Sequence, residues 1–119
     1  MGKKIELVLD AADPRALGVF WAFALGYVEE PAPEGFGSGD GPRMYLQRVP
    51  EPKTAKNRMH VDVVSVPRAP DGSKDWGQLR AAAADLVERT AVVAREFDDP
   101  LQGQWIVMND PEGNEFCVV

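Results

Sequence analysis

The chain has 119 residues, 45% hydrophobic and 27% charged, which suits one globular domain with a core of ordinary size rather than a disordered segment. A formal net charge of −6 argues against nucleic acid as a partner, since phosphate binding wants a basic surface, and is compatible with a cationic small ligand. No apolar run reaches the roughly 18 residues of a membrane span, no signal-peptide stretch follows Met1, and the single cysteine, Cys117, forbids an internal disulfide; the expected compartment is the cytoplasm.

In chain order, Lys4 to Asp10 alternates, with Ile5, Leu7 and Leu9 on one face and Glu6, Val8 and Asp10 on the other, the period of a strand. Asp13-Pro14 then supplies an N-cap and a first-turn proline. Leu17, Phe20, Trp21, Ala24 and Leu25 recur at helical spacing up to Gly26, a helix stop. Tyr27 to Glu30 reads as a short strand, Pro31 to Pro42 as a glycine- and proline-rich loop, and Arg43 to Val49 as a strand stopped by Pro50 and Pro52. Polar residues Glu51 to Asn57 link this half to a second.

That half opens with a strand at Arg58 to Val64, with Met59, Val61 and Val63 on one face and His60 and Asp62 on the other. Asp75, with Gln78 three residues on, has the form of a capping box, and Trp76, Leu79, Ala83, Leu86 and Val87 form the stripe of a second helix. Strands follow at Ala91 to Phe97, Gln104 to Met108 and Glu115 to Val119, with a Pro-Glu-Gly turn over Asn109 to Asn114. Strand, helix, strands therefore occurs twice, an α+β arrangement of two βαβββ-type modules, residues 1–52 and 57–119, within a single domain.

Three groups of residues carry a resemblance: Ile5 to Asp10 with Asp13 to Leu17, Phe20-Trp21 and Ala24 to Tyr27; His60 to Val63; and Asp110 to Phe116. Together they resemble the vicinal oxygen chelate (glyoxalase/bleomycin resistance/dioxygenase) superfamily, and within it the glyoxalase-like domain proteins. The resemblance implies a curled, mostly antiparallel sheet with helices on its outer face and a ligand cup inside. Here Glu34-Gly35-Phe36 runs through Gly37 to Asp40 straight into Gly41-Pro42-Arg43, where relatives carry a longer segment. The first module is therefore expected to be shortened, with one strand missing or very short.

Carried over from metal-dependent relatives, the ligand positions fall on Glu6, Gln47, His60 and Cys117. Strand parity agrees for Glu6 and His60, which face away from the helices, and leaves Glu115 and Cys117 inward on the last strand. Carboxylate, imidazole and thiolate are all competent ligands for one divalent metal, and Cys117 favours zinc. Glu6 and Glu115 are the candidates to move a proton. Tyr45, Asp62, Trp105 and Phe36 are the candidates to contact a ligand, Asp62 also to orient His60. Each has a plain alternative: His60 an imidazole hydrogen-bonded to Glu6 or Gln47, Cys117 an inert buried thiol, Asp62 a rim salt bridge.

Two functions follow from the resemblance, beside a third reading as a scaffold or small regulatory domain with a degenerate site. One is a metal-dependent lyase, isomerase or dioxygenase acting on a small oxygenated substrate. The other is a metal-free protein of the bleomycin-resistance type that sequesters a drug-like or metabolite ligand in an acidic, aromatic-lined cup. In either case the partner is a small molecule, with no nucleic acid and no membrane, and the resemblance implies a homodimer.

Overall fold

In a computed structural model, which describes residues 2–31 and 35–119, the chain divides into two compact units, Met1–Thr54 and Ala55–Val119. The first contains β1 (Glu6–Ala11), α1 (Pro14–Leu25), β2 (Val28–Glu29), β3 (Phe36–Ser38) and β4 (Arg43–Arg48). The second repeats the order with β5 (Asp62–Val63), α2 (Trp76–Val87), β6 (Val92–Asp99), β7 (Gly103–Asn109) and β8 (Glu115–Val118). Both are βαβββ modules, and the protein is α+β. The sheet orders are β1-β4-β3-β2 and β5-β8-β7-β6, each with a parallel pair between the module's first and last strands and antiparallel pairs elsewhere. No helix is long and apolar enough to cross a membrane among the described residues.

In the first unit, the Asp13 carboxylate accepts from the Ala16 N–H at 3.2 Å to start α1, and Pro14 takes the first turn where no donor is needed. Leu17, Phe20 and Trp21 are buried over β4, whose Met44 and Leu46 face the helix. On β1 the intermediate burial of Leu7 and Leu9 and the exposure of Glu6, Val8 and Asp10 follow the expected alternation. Ile5 departs from it: it lies just before the strand and is 67% exposed. The predicted Pro31–Pro42 loop, whose residues 32–34 lie outside those described, contains a strand at Phe36–Ser38. The module thus keeps all four strands, and its shortening lies in the two- and three-residue lengths of β2 and β3. Small residues are required beyond them because the Tyr27 ring lies under the chain. A Cβ on Gly39 would come within 2.5 Å of that ring, and one on Gly41 would meet its hydroxyl, which donates to the Pro42 carbonyl.

In the second unit, the Asp75 carboxylate accepts from the Gln78 N–H at 2.9 Å, and α2 buries Leu79, Ala83 and Leu86 against Ile106, Met108, Phe116 and Val118. Trp76, expected in that core, is half-buried instead, with the Arg80 guanidinium 5.1 Å over its ring. The strand expected over Arg58–Val64 is regular only at Asp62–Val63, and Met59 is 81% exposed. A β-bulge between Val93 and Arg95 shifts the β6–β7 register. Val93 pairs with Met108 on the helix face, but Arg95 then pairs with Val107 and Phe97 with Trp105 on the opposite face.

Candidate functional site

The helix-free face of the second sheet forms a pocket of about 760 Å³, lined by His60, Asp62, Cys117, Glu115, Phe97 and Trp105, among others. Parallel pairing places Asp62 opposite Cys117, so both side chains emerge on this face while Val63 and Val118 turn to the core. His60 lies two residues before Asp62 and shares its side. One ligand atom each from His60, Asp62 and Cys117 lie within 4.8 Å of one another. His60 Nε2 and an Asp62 carboxylate oxygen are 3.2 Å apart. Tetrahedral zinc holds its ligand atoms roughly 3.3–3.8 Å apart, a spacing compatible with three atoms within 4.8 Å of one another. The imidazole, carboxylate and thiol thus make a donor set that fits a divalent cation, with coordination positions left for substrate or water.

Electrostatics within the trio is uneven. Burial pushes the Cys117 thiol up to about 11, and the neighbouring Asp62 carboxylate adds to the effect while Lys56 opposes it. Without a cation, Cys117 is a protonated thiol at neutral pH rather than a nucleophile. His60 and Asp62 stay half-exposed, with side-chain accessibilities of 52% and 54%. The Glu115 carboxylate, at the start of β8, accepts from the Asn57 N–H at 2.8 Å. Phe97 and Trp105 stack across β6 and β7 with centroids 5.0 Å apart and planes 8° from parallel.

The other candidates lie in the first unit. Glu6 is exposed and 3.6 Å from Arg43, which also makes two 2.7 Å bonds to the Glu30 carboxylate. Register sets Glu6 beside Arg43 and Gln47 beside Asp10, four residues along the strand, or about 13 Å. Glu6 and Gln47 are therefore not brought together. Phe36 and Tyr45 stack on each other at 4.3 Å, with the Arg43 guanidinium 3.7 Å from the Phe36 centroid. The trio thus contains two of the four inferred metal positions, His60 and Cys117, and takes its carboxylate from Asp62.

Several pocket residues escaped the sequence reading: Lys56, Arg68, Lys74, Arg95, Phe97 and Gln104. The connector and loop positions of Lys56, Arg68 and Lys74 carry no periodicity that would reveal them. Uninterrupted alternation from Val93 would send Arg95 to the helix face, and only the bulge turns it and Phe97 into the pocket.

The family model described as a glyoxalase-like domain matches residues 6–119. Among solved structures, a glyoxalase/bleomycin resistance protein/dioxygenase family enzyme from Burkholderia phytofirmans superposes with a TM-score of 0.72 at 11% identity, covering 95% of this chain and 94% of the other. A fosfomycin resistance protein from Mesorhizobium loti gives 0.69 at 12% identity, with 99% and 91% covered. A lactoylglutathione lyase from Agrobacterium tumefaciens gives 0.60 at 15%, with 99% and 92% covered. No curated protein matches the sequence. Two βαβββ modules and a model match over nearly the whole chain lead to one conclusion: the protein belongs to the glyoxalase-like domain family.

Proposed function

We propose that the chain is a metal-dependent enzyme of the lyase, isomerase or dioxygenase type, acting on a small oxygen-bearing substrate in the pocket of its second unit. The observation that carries this reading is the approach of three different donor atoms, from His60, Asp62 and Cys117, to within 4.8 Å on the pocket wall. The thiol favours zinc among divalent ions. A bound cation would supply Lewis-acid polarisation of substrate oxygens. The chain's own groups do the rest. Before a cation binds, Asp62, 3.2 Å from His60 Nε2, holds the imidazole in orientation, and with the cation bound it is the carboxylate of the donor set. Glu115, held by the Asn57 N–H, is the carboxylate to hold or move a proton. The stacked Phe97 and Trp105 supply an aromatic flank to the pocket. We take the working form to be a homodimer, as the resemblance implies, and its compartment to be the cytoplasm, as the single cysteine leads us to expect.

The test is metal analysis of protein purified without chelator, beside His60→Ala and Cys117→Ala variants whose folding is checked by circular dichroism. One divalent ion per wild-type chain, with occupancy or affinity falling roughly tenfold or more in both variants, is the expected result. A folded wild-type protein that takes up no zinc on titration overturns it. The buried, protonated Cys117 thiol favours a second reading, a metal-free protein that sequesters its ligand. Metal-free protein that binds a small molecule as tightly as metal-loaded protein would select it.

A further inference from the structure

The pocket has the opposite charge from the chain around it. The protein carries −6 overall, yet Lys56, Arg68, Lys74 and Arg95 reach this wall against the carboxylates of Asp62 and Glu115. None of the four cations forms a salt bridge among the described residues. Arg68 donates one N–H to the Gly72 carbonyl, and Arg95 lies 4.3 Å over the Phe97 ring. Lys74 is partly buried, with its backbone N–H held by Gln104. Loss of solvent and the nearby Arg68 guanidinium disfavour its charge, while Asp62 supports it. Cations without ion pairs around one concave surface favour an anion there. In the Phe97–Trp105 stack Phe97 is covered by Trp105 and Arg95, and the Trp105 ring offers a flat partner alongside the cations.

We infer that the second-unit pocket takes a small organic anion with a flat aromatic or conjugated body, its oxyanion held by Arg68, Lys74 and Arg95 and its plane against Trp105. This rests on the pocket being the functional site and names the class of its substrate. It replaces the cationic ligand and acidic cup that overall charge suggests. The field that matters is that of the lining, and the negative charge of the chain is carried elsewhere on its surface. The placement also suits the trio, because an oxyanion beside His60, Asp62 and Cys117 would sit within reach of a cation held there.

The inference is tested by calorimetric titration of the full chain with four probes that share one ring: benzoate, phenyl phosphate, benzamide and benzylammonium. At least one anion should bind roughly tenfold tighter than the neutral amide or the cation, and should weaken as salt rises. The preferred anion distinguishes a carboxylate from a phosphate ligand. Lys74→Gln and Arg95→Gln should each weaken anion binding roughly tenfold, whereas Arg89→Gln, outside the pocket, should leave it unchanged. Trp105→Leu should weaken benzoate more than acetate. Equal affinity for benzamide, a preference for benzylammonium, or anion binding indifferent to both pocket substitutions overturns the inference. Metal content measured on the same samples separates the two ideas. Stoichiometric metal without anion preference leaves the metal reading standing alone, and anion preference in metal-free protein leaves the anion site standing alone.

Discussion

Asp110 shows how one buried side chain can set a turn. It is 2% exposed, and one carboxylate oxygen accepts from the N–H groups of Glu112 and Asn114, both at 2.9 Å. The Asn114 side-chain amide donates to both oxygens, and Gly113, at φ 86°, closes the loop where a Cβ would be strained. The Asp-Pro-Glu-Gly-Asn sequence therefore works as a clamp between β7 and β8, and it fixes the strand that presents Glu115 and Cys117. Truncating Asp110 strands several buried donors at once. Asp110→Ala should cost about 2–4 kcal/mol, read as a lower urea midpoint, and Asp110→Asn, which keeps one acceptor, should cost less.

The two helices stop in the same way with different residues. After α1, the Tyr27 N–H bonds the Ala22 carbonyl and the Gly26 N–H bonds Phe23, with Gly26 left-handed at φ 66°. After α2, the Ala91 N–H bonds Leu86 and the Thr90 N–H bonds Val87, with Thr90 left-handed at φ 76°. Both are Schellman closures, but a β-branched residue occupies the second at a cost that glycine avoids. Thr90→Gly should therefore stabilise the protein by about 1 kcal/mol, raising Tm by roughly 3–6 °C in a thermal melt. Gly26→Ala should move Tm the other way. A Cβ there meets nothing within 4 Å, so its cost is conformational alone. Gly26 made the first stop legible in the sequence, whereas Thr90 gave no such sign of the second.

At the scale of the molecule, two bidentate ion pairs tie elements together: Arg43–Glu30 joins β4 to the end of β2, and Arg80–Glu96 joins α2 to β6. The arginine partners hold both carboxyls below their usual 4.5. Carboxyls lowered by folding stabilise the native state above the unfolded value, and that contribution is lost as pH falls through the folded one. The urea midpoint should therefore hold steady down to about pH 5 and decline below it, and Glu96→Gln should flatten part of the decline; both pairs are accessible to solvent, so the effect is modest. Much of the architecture was decided locally. Asp13-Pro14, Asp75, the helical stripes and the strand alternation follow from capping, periodicity and turn chemistry, which neighbouring residues settle among themselves, and they were enough to read two βαβββ modules and their family. His60, Asp62 and Cys117 could each be set on the inward face by parity. Their meeting, however, depends on the parallel β5–β8 register, which joins residues more than fifty positions apart and leaves no local trace. The same holds for the basic lining, where one β-bulge turns Arg95 and Phe97 into the pocket. Composition determined that the chain is acidic; tertiary structure decided that its pocket is not, because net charge is a sum over the whole surface and a binding site responds to the few groups that converge on it.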